Sequence, residues 1–273
     1  MSGRRPHGRA SDSLRPAEIQ LGAMKFAEGS ALVKMGDTQV LVSASAEKRV
    51  PPFLIDSGKG WITAEYAMLP RATHTRSRRE VSRGRPSGRS SEIQRLIGRS
   101  LRAIVDLKAI PDLTLTVDCD VIQADGGTRT ASITGAYVAL AQACGHLLLS
   151  GDIRRWPLAD SLAAISVGIV DGQPLLDLEA SEDQRADVDM NVVATGAGQL
   201  IEVQGTGEKS TFSREQLDEL LDLALGGIGQ LTDLQNKVLA QVREEVESVS
   251  SKGDRSPAPP RDEKTLWGPP ESS

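Results

Sequence analysis

Three clusters in this sequence carry side chains able to do chemistry. The first is Gly126-Gly127-Thr128-Arg129. Paired glycines let a backbone approach a ligand closely, a helix beginning there offers unpaired N–H groups, and the arginine adds a planar fork of donors, a set suited to phosphate. It is not the GxxxxGK[ST] nucleotide loop, and taken alone it reads equally well as a glycine turn beside a solvated arginine. The second cluster is Ser87-Gly88-Arg89-Ser90, ahead of a helix, where a guanidinium and a helix start again face an anion together. The third is 177–189, with Asp177, Glu179, Glu182, Asp183, Asp187 and Asp189: six carboxylates in thirteen residues. That density repels itself unless a cation or other positive group lies near, so it reads as a divalent-metal site, a proton-donating acid or a plain acidic surface turn.

Charge separates these clusters. Between Arg71 and Arg89 lie seven arginines against the single acid Glu80, a local excess of +6, so with a net charge of −5 the remainder of the chain sums to −11. A run of this kind is often only a solvated face. Its lack of lysine favours bidentate phosphate contacts, and its place on an acidic body suits a localised polyanion site.

The elements that must position these groups follow from periodicity. Residues 30–46 give two β-type runs split by Gly36-Asp37, a hairpin. Trp61–Met68 reads as a strand entering the arginine-rich loop, and 91–105 as an amphipathic helix capped by Ser91 with Gln94. Leu113, Leu115, Val117, Cys119 and Val121 alternate with polar residues as a half-buried strand running into the glycines, followed by a buried helix over 130–149. Strands are expected at 164–170, 174–179, 188–194 and 200–204, then a long helix capped by Ser213 with Gln216.

At 273 residues, 39% apolar and only 3% aromatic, the chain holds an aliphatic core, read as one domain over 1–241. From 242 to 273 prolines accumulate and apolar residues thin out, so a disordered tail is expected. No stretch reaches the roughly 20 apolar residues that spanning a bilayer takes, and the first ten residues lack the core of a secretory signal; a cytoplasmic protein without a membrane partner is expected. Cys119 and Cys144 read as buried thiols. His7, His74 and His146 receive no role.

Taken together, GWITAEYAMLPRATHTR (60–76), GRSSEIQRLIGRSLRAIVDL (88–107), LTVDCDVIQADGGTRTASITGAYVAL (115–140), VGIVDG (167–172), ADVDMNVV (186–193) and IEVQGT (201–206) resemble ribonuclease PH, in that family's order and spacing, across about residues 9 to 241. The resemblance implies a compact two-layer α/β fold of α+β type, with mixed sheets and helices. It implies phosphorolysis of RNA from the 3′ end, trimming transfer RNA precursors and acting on other RNA 3′ ends such as those of ribosomal RNA, with release of nucleoside diphosphates. Inorganic phosphate would be held by Arg89, Gly127, Thr128 and Arg129. Asp183 and Asp189 would be the catalytic pair, binding Mg²⁺ or donating a proton, and Arg71, Arg76 and Arg79 would hold RNA and help assemble a homohexamer built as a trimer of dimers. A rival is a catalytically silent RNA-binding ring subunit of exosome type; its mark, loss of an aspartate or of the GTR arginine, is absent.

Overall fold

The computed structural model describes Arg5 and residues 8–250. His7 and residues 251–273 of the expected tail lie outside them. Nine strands and five helices form two sheets among the described residues. The strands are β1 (Ala17–Leu21), β2 (Gly29–Met35), β3 (Thr38–Glu47), β4 (Trp61–Met68), β5 (Thr114–Gln123), β6 (Leu162–Val170), β7 (Gln173–Leu176), β8 (Val188–Thr195) and β9 (Leu200–Gly207). The helices are α1 (Gly88–Ala103), α2 (Thr128–Ser150), α3 (Ala180–Asp183), α4 (Arg214–Val238) and α5 (Ala240–Ser250).

The first sheet runs β1-β2-β3-β5-β4, antiparallel except for the β4–β5 pair, and the second runs β7-β6-β8-β9, antiparallel throughout. The β2–β3 hairpin turns at Gly36-Asp37, with Met35 opposite Thr38 and Gly36 at φ 56°, the left-handed backbone a two-residue hairpin needs. Helix α2 packs on β2, β3 and β5 of one sheet and on β6 of the other, while α4 spans from β1 to β6, β7 and β8. Seventeen of the 23 residues of α2 are buried, so a helix that is apolar all round is here the centre of the core.

Helix α2 is also long and apolar enough to cross a membrane, with mean hydropathy 1.3 over its most apolar stretch, contrary to the expectation that no segment would be; 78% of that stretch is buried inside the protein. Both cysteines are free and buried, as expected, and burial pushes both thiols up.

Four boundaries differ from the sequence reading. Helix α1 starts at Gly88 instead of Ser91 because Ser87 caps it, its Oγ accepting from the Ser90 N–H at 3.1 Å, and Glu80 reinforces that cap by accepting from the Ser87 N–H and the Ser90 hydroxyl. Strand β7 stops at Leu176, where Asp177 turns left-handed at φ 56°. Strand β1 is an addition. Residues 242–250 are helical, not part of an unstructured tail, because Val242 and Val246 pack against Gly145, where even a Cβ would come within 2.7 Å of Val242. The Ser213–Gln216 capping box forms as read.

Candidate active site

Each of the two phosphate-type clusters sits at the start of a helix. Gly126 and Gly127 take φ values of 75° and 65°, left-handed backbone that admits the sharp turn from β5 into α2. Glycine at 126 is also required by contact, since a Cβ there would lie 2.5 Å from the Leu178 carbonyl oxygen. The turn is therefore pressed directly against the chain leading into α3. Thr128 begins α2, buried, with its Oγ1 2.9 Å from the Tyr66 hydroxyl. Burial pushes Tyr66 up, so it remains a neutral hydrogen-bonding partner.

Arg129 lies one residue further along. Its Nη1 donates to Gln204 Oε1 at 2.8 Å and sits 3.5 Å from Glu92, while Gln204 itself donates to Glu92 at 3.1 Å, so α1 and β9 orient the guanidinium from two sides. Arg89, the second residue of α1, is exposed beside it.

The acidic segment closes the site from the second sheet. Asp183 ends α3, and Asp189 stands on β8 opposite Gly168 of β6 and Thr206 of β9. One cleft of about 800 Å³ is lined by Arg89, Arg129, Asp183, Asp189, Asn191 and Glu208 among others. A second, of about 330 Å³, shares Arg89, Arg129, Asp183, Asp189 and Asn191 and adds Gly126, Gly127 and Thr128. The three clusters, up to 100 residues apart in sequence, thus meet at one place.

The electrostatics of the pair are asymmetric. Burial first, then the charges of Asp183 and Glu208, raise Asp189 from the ordinary 3.8 to about 6 against the opposing pull of Arg129 and Arg89. Burial also raises Asp183, opposed by Arg89 and Arg129. A carboxyl titrating near 6 exchanges its proton readily near neutral pH, the property a general acid requires. The same two carboxylates fit a hexahydrated-type cation such as Mg²⁺, which is typically held by one or two carboxylates with the rest of its shell filled by water and substrate phosphate, and which would relieve their repulsion. Among the described residues no group of three or more His, Cys, Asp or Glu forms a metal cage.

Repulsion within the acidic segment has a second answer that sequence reasoning missed. Asp177 is paired with Arg15 at 2.7 Å, and Glu182 with Arg5 at 2.7 Å and Arg9 at 2.9 Å. Asp183 and Asp189 are left without such partners among the described residues. Asn191, on the same face of β8 as Asp189 and only 9% exposed, was also missed. Arg71, Arg76 and Arg79 do not line either cleft; they lie exposed on the loop between β4 and α1, anchored by Ala72, whose carbonyl accepts from the Ala124 N–H. His74 shares that loop and His146 lies on α2, and neither lines either cleft.

The family model for domain 1 of the 3′ exoribonuclease family matches residues 13–144, and the model for its domain 2 matches residues 160–227. The chain belongs to this family, that of ribonuclease PH. The first match ends within α2 and the second begins just before β6, so each family domain supplies one sheet and the cleft lies where they meet.

Solved structures agree on the fold. A chain of the Archaeoglobus fulgidus exosome with RNA bound to the active site is 26% identical, with a TM-score of 0.71 over 84% of this chain and 92% of that one. Rice (Oryza sativa) Rrp46 is 23% identical, with a TM-score of 0.69 over 85% of this chain and 98% of its own. A chain of an archaeal exosome core is 24% identical, with a TM-score of 0.64 over 85% and 89%.

Proposed function

We propose that this protein is a phosphorolytic 3′-to-5′ exoribonuclease that trims the 3′ ends of transfer RNA precursors, acting in the cytoplasm as a homohexamer. The observation that carries the reading is the convergence of Arg89 and Arg129 with Asp183 and Asp189 in one cleft, with Asp189 titrating near 6. Family membership supports the reaction class, and the similarity to an exosome chain with RNA at its active site supports RNA as the substrate.

In this mechanism Arg89, Arg129, the Thr128 hydroxyl and the α2 N-terminus hold inorganic phosphate. Its oxygen forms a bond to the phosphorus of the last phosphodiester as the bond from that phosphorus to the preceding 3′ oxygen breaks. Protonated Asp189 donates its proton to the departing 3′ oxygen. The products are RNA one nucleotide shorter and a nucleoside 5′-diphosphate. Asp183, and Asp189 in its ionised form, would hold Mg²⁺, which when bound supplies charge neutralisation for the phosphoryl oxygens. Arg71, Arg76 and Arg79, exposed on the loop before α1, gather the RNA strand electrostatically.

The test is incubation with a 3′-labelled transfer RNA precursor and Mg²⁺, with and without phosphate. Nucleoside diphosphates released only with phosphate support the reading. Monophosphates released without phosphate would make the protein a hydrolase, and RNA binding without release would make it a silent ring subunit.

A further inference from the structure

The residues nearest the candidate catalytic pair in sequence are themselves held by a segment from the far end of the chain. Arg15 makes a forked contact with Asp177, Nη2 to Oδ1 at 2.7 Å and Nε to Oδ2 at 3.0 Å, and its backbone N–H adds a third bond to Oδ2 at 2.8 Å. The same guanidinium donates to the carbonyls of Asp125 and Gly126, on the turn that begins α2. One side chain therefore ties the glycine turn to the acidic segment.

Five residues on, Glu182 is held by Arg5, Nε to Oε1 at 2.7 Å and Nη2 to Oε2 at 3.0 Å, and by Arg9 through Nη2 to Oε2 at 2.9 Å. Arg9 also donates to the Asp177 carbonyl at 2.9 Å. Asp177 and Glu182 are 0% and 1% exposed.

Helix α3 is only four residues long, too short to keep its shape alone. Glu182 is its capping-box residue, accepting from the Glu179 N–H at 3.1 Å, and Asp183 is the next residue, its N–H bonded to the Glu179 carbonyl at 2.9 Å. The position of Asp183 is thus inherited from Glu182. Gly126, with no room for a Cβ against Leu178, keeps the glycine turn in direct contact with the chain entering α3. None of Arg5, Arg9, Arg15, Asp177 or Glu182 lines the cleft. Buried ion pairs of this kind add little stability over apolar packing, so what they secure is geometry.

We propose that Arg5, Arg9 and Arg15 form an ionic clamp on Asp177 and Glu182 that positions Asp183, with Asp189 and the Gly126–Arg129 turn, for metal binding and turnover. The turnover half of this inference rests on the phosphorolytic reading; the metal half does not.

The test uses the full chain with Glu182→Gln, Arg9→Gln and Arg9→Lys, reading Mn²⁺ binding alone by the spin-resonance signal of free Mn²⁺, and separately kcat and KM for phosphate. Residues that orient a metal's ligands typically change affinity or activity by about 10-fold or more, so Glu182→Gln is expected to weaken Mn²⁺ binding and lower kcat by roughly that factor. KM for phosphate stays near wild type because Arg89 and Arg129 are untouched, and Arg9→Lys, which keeps the charge on Glu182, retains more function than Arg9→Gln. Folded Glu182→Gln protein with wild-type Mn²⁺ affinity and kcat overturns the clamp, as does a loss appearing only in KM for phosphate. Should Glu182→Gln not fold, the two Arg9 variants give the same decision. If wild-type protein binds Mn²⁺ but releases no nucleotide, the functional reading fails and the Mn²⁺ data still decide the clamp; if it does neither, both fall.

Discussion

Replacing Asp189 by Asn should make the metal-free protein more stable at neutral pH, by an amount that depends on pH in a defined way. Asp189 titrates at about 6 in the folded protein against an ordinary 3.8, chiefly through burial and the neighbouring Asp183 charge. Below about pH 3.8 the carboxyl is protonated in both states and contributes nothing. Between there and about 6 the folded protein keeps a proton that the unfolded chain has released, so stability falls as pH rises, and above 6 the full penalty is present. At 1.36 kcal/mol per pH unit, the penalty is about 3 kcal/mol.

Asparagine has the shape of the protonated acid and cannot ionise. Asp189→Asn should therefore gain about 3 kcal/mol at pH 7.5, or roughly 6–12 °C in Tm, and match wild type near pH 4. The assay is thermal and urea unfolding in chelator, at matched protein concentration, from pH 4 to 8. Added Mg²⁺ should narrow the gap by stabilising wild type alone. A variant no more stable than wild type at pH 7.5, or a gap that does not change with pH, would refute the electrostatic account of this site. The same substitution removes the proton donor, and kcat should drop by about 10²–10⁴.

Arg129→Ala and Arg89→Ala should each raise KM for phosphate by about 10-fold or more while leaving RNA affinity within a few-fold, measured by initial rates and by filter binding. Combined replacement of Arg71, Arg76 and Arg79 by Ala should do the reverse, weakening RNA binding most at low salt and reducing the slope of log affinity against log salt by about 2. Gly126→Ala puts a Cβ 2.5 Å from the Leu178 carbonyl oxygen at a left-handed φ and should cost more than about 2 kcal/mol in urea unfolding. Gly145→Ala should loosen α5, whose Val242 would meet the new methyl, read as faster hydrogen exchange across 240–250 with the cleft unaffected.

The parts of this fold that could be read from sequence are those whose pattern is local. Strand β5 alternates because one face packs on α2, and α2 itself has no polar face because sheets lie on both sides of it. Strand β1 escaped because only Ile19 of its five residues is buried, too little for a period to show. Helix α5 was hidden by the prolines that follow it, although Val242 and Val246 stand four apart and pack together on α2. The carboxylate excess at 177–189 correctly signalled a need for positive charge. Its main source could not be seen, because Arg5, Arg9 and Arg15 lie more than 160 residues from their partners and no local spacing connects them.

The four candidate groups share a placement that accounts for how an aliphatic core with few aromatics can hold a charged site in register. Arg89 is the second residue of α1, Arg129 the second of α2, Asp183 the last of α3 and Asp189 the second of β8. Element ends leave a side chain free to face the cleft while the remainder of the element is fixed by packing, with Ile93, Leu96 and Ile97 anchoring α1, Ile133 and Leu140 anchoring α2, and Met190 and Val192 anchoring β8. Helix α3 is the exception, since it has no such length buried in the core, and it is held instead by Arg5 and Arg9 on Glu182, with Arg15 on Asp177 just ahead of it. Where packing cannot position a group, ion pairs do so, and removing one partner both displaces Asp183 and strands a buried charge, so metal binding and turnover fall together with about 3–5 kcal/mol of stability.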